Sequence, residues 1–265
     1  MRVDLNNVEM HLTDLHSSAG YEFMWKYLTE SGKTAVESEV DTDVEAFLAF
    51  CLQNSSKSKA QIMQDLYVLF RLPKVGGYFV EFGAADGVNM SNTWLLENQM
   101  SWTGVVAEPS PNWHADLLAN RKCAIDLRCV WTKTGETLNF RATENAWLAT
   151  IDSFSDGDVH AGLRAVNSKV LPVETVSLND LLQENNAPQH FDFLSVDTEG
   201  SEFPILESLD FDRWKPRIIC VEHNGVDAQR LKIKRLLEAQ GYLREFELFS
   251  GCDDWYRHPG LIGVK

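Results

Sequence analysis

"YFVEFGAADGVNMSNTWLLEN", Tyr78 to Asn98, decides how the rest of the chain is read. Its first five residues form an apolar run of strand type, the middle is a loop of small residues with an acid, and the end has helical spacing. A strand running through such a loop into a helix is a unit of an open parallel sheet, where ligands sit beyond the carboxyl ends of the strands. The strand delivers Glu81-x-Gly83-x-x-x-Gly87 to that edge. Small residues at Gly83, Ala84 and Ala85 let a ligand pack on the main chain, and Gly87 tolerates unusual dihedrals. The helix starting near Ser91 is expected to turn free N–H groups toward the same spot.

The pattern repeats outward. TGVVAE and CAIDLRCVW read as the second and third strands, with NWHADLLANR as a helix between them. FDFLSVD and RIICVEH are two later strands. These apolar runs lack period-2 alternation, as in strands covered on both faces, so the fold class is α/β with a mostly parallel sheet. VDAQRLKIKRLLEAQGY is an amphipathic helix stopped by Gly241, and YLREFEL with LIGVK is expected to form a closing strand pair. From Thr132 to Gln189 runs a long excursion carrying Trp147, Asp158, His160 and Arg164, read as a substrate-facing subregion whose named residues are structural. Residues 1–72 look helical, an extension with apolar residues at helical spacing in AFLAFCLQ and AQIMQDLYVLFRL, Ser58 as cap of the second helix and Pro73 as its end. That extension covers an edge of a domain over residues 73–265, or closes over a ligand as a lid.

The second strand ends in Glu108, followed by Pro109, 25 positions after Gly83. An acid at that distance takes ribose hydroxyls, so the expected ligand contains a nucleoside. The loop departs from G-x-G-x-x-G, and Asp86 stands where a pyrophosphate would approach. That carboxylate disfavours NAD and suits an ammonium, such as the amino-acid end of S-adenosylmethionine.

VEFGAADGVNMSNTWLLE, VVAEPSPNW, FLSVDTEGSEFPIL and IICVEHN, in that order, resemble the FkbM family of S-adenosylmethionine-dependent methyltransferases. The similarity spans roughly residues 64–256. It implies a class I Rossmann-like, doubly wound sheet with one antiparallel terminal strand, and O-methylation of sugars or natural products. By position, the resemblance puts Glu81, Gly83, Asp86, Gly87 and Asn92 along the methionine part, Glu108 at the ribose, and Cys129 and Val130 beside adenine.

VDTEGSE sets Asp197, Glu199 and Glu202 after the fourth strand, and VEHN sets Glu222, His223 and Asn224 after the fifth. Methyl transfer to a hydroxyl needs alignment and removal of a proton. His223 is the expected general base because imidazole titrates near neutrality. Asp197 borders the cofactor, and Glu199 or Glu222 orients the base or the acceptor. Ser201 and Glu202 have a competing role as helix caps. Asp197, Glu222 and Asn224 offer oxygen to a divalent cation, but no spacing fixes such a site.

Composition bounds the alternatives. Of 265 residues, 44% are apolar and 24% charged, enough for a substantial core. A net charge of −15 without a basic run disfavours nucleic-acid binding. Five scattered cysteines without a CxxC pair read as reduced thiols, and neither a secretory signal nor an apolar span is seen, so a cytoplasmic location is expected. N-methylation, a non-catalytic cofactor- or partner-binding domain, and an NAD oxidoreductase remain as competing functions.

Overall fold

The structure, a computed structural model, describes residues 42–247 and 249–262. In chain order the elements are α1 (Thr42–Asn54), α2 (Gln64–Arg71), β1 (Tyr78–Phe82), α3 (Trp94–Met100), β2 (Thr103–Ala107), α4 (Pro111–Asn120), β3 (Ala124–Asp126), β4 (Cys129–Trp131), β5 (Thr137–Thr143) and β6 (Thr150–Ile151). There follow α5 (Ala161–Arg164), β7 (Ser168–Ser177), α6 (Leu178–Glu184), β8 (Phe193–Val196), α7 (Glu202–Glu207), β9 (Ile218–Glu222), α8 (Asp227–Ala239), β10 (Leu243–Glu245) and β11 (Asp253–Arg257).

Seven strands form the main sheet in the order β10-β11-β9-β8-β1-β2-β3. β1 lies between β2 and β8, all parallel, and β9 continues the parallel run. β11, the last strand among the described residues, is antiparallel to both β9 and β10. This is the mostly parallel Rossmann-like sheet the alternating pattern predicts, with strands such as β9 buried at every residue. Crossover helices cover both faces and leave the strand ends after β1, β2, β8 and β9 along one edge.

The expected third strand is two strands. The Asp126 carboxylate accepts from the Arg128 main-chain N–H at 2.9 Å and from its guanidinium, which turns the chain between β3 and β4. β4 then leaves the main sheet for a second one of order β4-β7-β5-β6. The excursion is therefore ordered as a small sheet. The closing strand pair also differs: β10 pairs with β11 at Asp253–Arg257, not with LIGVK, whose last three residues lie outside the described ones. A strand of DDWYR reads poorly as one because its two acids sit in buried positions with dedicated partners.

Of the helical extension, residues 1–41 lie outside the described residues. α1 and α2 pack into the core rather than beside it. Phe47 stacks on Phe246 with centroids 4.5 Å apart, and Tyr67 stacks on Trp255 at 4.9 Å. Ser58 does not cap α2: its hydroxyl donates to Asp65 at 2.6 Å, and the residue preceding α2 is Met63.

Candidate functional site

The ends of β1 and β8 meet at Gly83. Its φ is +82°, and a Cβ there would lie 1.8 Å from the Asp197 carbonyl oxygen, so only glycine lets the two ends approach. The Glu108 carboxylate accepts from the Ala85 N–H at 2.9 Å and from the Ser110 N–H at 2.8 Å, pinning the first loop to the end of β2. Burial raises Glu108 to about 7 despite these two bonds.

Two cavities join at this point, sharing Gly83, Glu108, Ala149 and Asp197. The smaller, about 400 Å³, is an apolar slot between Pro109, Cys129 and Val130 on one side and Phe140 and Ile151 on the other. Burial pushes the Cys129 thiol up to about 12, so it presents a neutral wall. The larger, about 1070 Å³, runs over Gly83, Ala84, Ala85 and Asn92 toward Trp113, Trp147, His160, Glu199, Glu222 and Asn224.

Three residues of the quoted loop face inward instead. Glu81 accepts from the Asn92 N–H at 2.7 Å and from the hydroxyls of Ser91 and Thr93, and pairs with the buried Arg121 guanidinium. Asp86 accepts from the Val88 and Asn89 N–H groups at 2.8 Å and from the Asn89 amide. Gly87 packs under Arg121 and Leu117. The N–H groups expected to be free before α3 are also used: Asn92 N–H goes to Glu81 and Trp94 N–H to the Ser91 hydroxyl. What remains open is the Asn92 side chain. Its amide nitrogen donates to Ser195 at 2.9 Å, and its Oδ1, buried in the cleft wall, has no partner among the described residues.

At the other end three carboxylates converge. Oxygens of Asp197, Glu199 and Glu222 lie within 4.8 Å of one another. Burial and the repulsion among these carboxylates raise Asp197 and Glu222 well above the usual range. Asn224 Nδ2 donates to Glu222 at 2.9 Å and to Glu199 at 3.1 Å. The Arg164 guanidinium, fully buried, pairs with Glu199 at 2.5 Å. Arg164 and Asn224 N–H groups thus face one oxygen of Glu199, and Asn224 also faces one of Glu222. Glu202 is a cap, accepting from the Thr198 and Gly200 N–H groups at 3.0 and 2.9 Å.

His223 stands apart. It is 2% exposed and lines neither cavity. Its Nδ1 accepts from the Gly225 N–H at 3.1 Å, so the neutral ring carries its proton on Nε2, which points at Asp254 3.6 Å away. Asp254 is gathered by Arg230 and Arg244; although burial opposes ionisation, the nearby His223 ring, its bonds to Arg230 and the two arginine charges hold it at about 2.

The methyltransferase FkbM domain family matches residues 81–244. The chain belongs to the FkbM methyltransferase domain family. A comparison with curated proteins gives no match. Among solved structures, the chain is similar to an S-adenosylhomocysteine-bound Podospora anserina methyltransferase, PaMTH1, at 10% identity and a TM-score of 0.42 over 89% of this chain and 96% of that one. It is also similar to an O-methyltransferase from Bacillus cereus in complex with S-adenosylhomocysteine, at 14% identity and a TM-score of 0.38 over 88% and 97%. Both scores are too low to bear on chemistry. The FkbM match runs from β1 into β10 and takes in every residue lining the smaller cavity and all of the larger one's except Gln61 and Cys252, whereas α1, α2 and β11 lie outside it.

Within this FkbM domain, sequence reading missed the residues that come from afar. Arg121 follows α4, Phe140 and Ile151 come from the second sheet, and Trp113 lies on α4, its ring centroid 4.9 Å from that of Trp147. No local motif marks them. Only the charge of Glu81, otherwise stranded in a buried strand, signals that a cation such as Arg121 has to be near.

Proposed function

We propose that the protein is an S-adenosylmethionine-dependent methyltransferase acting on a hydroxyl of a sugar, glycan or other small molecule. The observation that carries this reading is the pair of joined cavities with Glu108 at their junction. The residues present fit the cofactor. The apolar slot of Cys129, Val130, Phe140 and Ile151 suits adenine, Glu108 beside Pro109 suits ribose hydroxyls, and the unpartnered Asn92 Oδ1 suits an ammonium. Glu81, Asp86 and Gly87 then act one layer back, shaping the loop that Gly83, Ala84 and Ala85 present.

When bound, the cofactor supplies a methyl group on a sulfonium. The chain's residues have to hold an acceptor in line, exclude water and take a proton. Asp197, Glu199 and Glu222 suit the last task, since they line the cleft and burial raises their proton affinity. In this reading the base role passes from His223 to these carboxylates, since His223 lines neither cavity and its Nδ1 accepts from the Gly225 N–H in the turn after β9. Trp113 and Trp147 offer apolar faces on which a ring could rest.

A methyl-donor assay with mass-spectrometric readout, run against sugars, lipid-linked glycans, amines and peptides, tests the reading. Methylated hydroxyl products are expected. Transfer only to amines would replace the acceptor class, and calorimetry showing no binding of S-adenosylhomocysteine would end the reading.

A further inference from the structure

Among the described residues, Arg164 is the buried cation that pairs with the acid cluster. It sits at the end of α5, fully buried, with its Nε donating to the Leu148 carbonyl at 2.8 Å. One terminal nitrogen donates to Asp158 at 2.7 Å and the other to Glu199 Oε2 at 2.5 Å. Asn224 adds a second donor to that same oxygen at 3.1 Å. No described residue donates to Glu199 Oε1. The residue itself is held in a left-handed backbone conformation, φ +59°, and its carbonyl accepts from the Thr150 hydroxyl at 2.9 Å. Thus one oxygen is clamped while the other is left for a ligand in the cleft.

The geometry points to Arg164 as a positioning residue: by clamping Glu199 Oε2 it makes Glu199, rather than Asp197 or Glu222, the carboxylate whose free oxygen takes the acceptor proton. This rests on the methyltransferase reading above. Among the described residues no cation pairs with Asp197 or Glu222, and burial and their mutual repulsion raise both well above the usual range, so Glu199 is the carboxylate of the three whose charge is matched by a guanidinium. Glu199 faces Arg164 and Asp158 from the α5 side, Glu202 from α7, Asp197 from the end of β8, and Glu222 and Asn224 from the end of β9; His160 shares the cleft. Among these only Arg164 brings a fixed positive charge to it. Burial raises Glu199 to about 7, and the guanidinium works against that rise while Asp158 adds to it.

The two neighbours therefore make opposite predictions for one titration. Carboxyl carbon-13 NMR on the full-length protein, with Glu199→Gln used to assign the resonance, reads it without any acceptor. Arg164→Met should move the Glu199 midpoint up by about one to three pH units, the usual effect of losing an adjacent opposite charge. Arg164→Lys should bring it part of the way back. Asp158→Asn, which keeps an oxygen for the guanidinium, should move it down. If Arg164→Met fails to fold, the Asp158→Asn shift still decides. An unmoved midpoint in a folded variant, judged by retained S-adenosylhomocysteine binding or a wild-type melting transition, overturns the assignment. Should the wild type bind no S-adenosylhomocysteine, the methyltransferase reading fails separately, while the titration still reports whether Arg164 governs Glu199.

Discussion

Glu108 ties the first loop to the end of β2 and borders both cavities. Each of its oxygens takes one main-chain N–H and keeps a lone pair toward the cavity junction. In the free protein burial raises it to about 7, whereas ribose hydroxyls donating to it would favour the ionised form. S-adenosylhomocysteine binding should therefore release protons near pH 7 and tighten as pH rises from 6 to 8, by calorimetry in buffers of differing ionisation heat. Glu108→Ala should weaken binding by about 2–3 kcal/mol, taking two charge-assisted bonds at about 1.5 kcal/mol each. Asp86 teaches the opposite lesson: its type and spacing in the sequence suggest a ligand partner, yet three donors from its own loop occupy it.

The helices before β1 belong to the core. Phe47 on α1 is fully buried against Tyr67, Phe246, Phe249 and Trp255, so α1 and α2 seal the face of the sheet near β11. We propose that they act as a permanent cover rather than a lid, although Gln61 between them does reach the cleft. Phe47→Ala should cost about 3–5 kcal/mol of stability, measured by denaturant unfolding, while the folded fraction keeps its cofactor affinity. A large loss of affinity with little loss of stability would instead favour the lid. The strands β1, β2, β8 and β9 were legible because buried parallel strands are continuous apolar runs. β4 and β11 were not, because an Asx-type turn at Asp126 and a partner-dependent DDWYR have no periodic signature. The site followed the same division: Gly83, Glu108, Asp197 and Glu222 lie at legible strand ends, while Arg164 and Phe140 depend on how the second sheet folds back.

Among the described residues, buried acids outnumber the cations that pair with them. Burial raises Asp65 and Asp253 to about 6 and Glu108 and Glu199 to about 7, and raises Asp197 and Glu222 well above their usual range. For a raised carboxyl the folded state holds the proton more tightly, so its stabilising contribution is complete below the unfolded value near 4 and is lost as pH climbs through 6 and 7. Asp254 has the opposite sign: held at about 2, it stabilises above 4 and loses that contribution as pH falls toward 2. The ligand-free protein should thus melt at a higher temperature at pH 5.5 than at pH 7.5, a trend readable by scanning calorimetry. A rising melting temperature over that interval would mean that the acid clusters are paired better than these contacts imply.

The contact at Gly83 also bears on how such an enzyme could be redesigned. Since the main chain at the end of β1 touches the main chain at the end of β8, the spacing between the donor loop and the acid cluster is a backbone dimension. Side-chain changes cannot retune it. In the reading proposed above, an engineer seeking a bulkier or slimmer acceptor would leave that gauge alone and vary other cleft residues such as Met90, Trp113, Trp147 and His160.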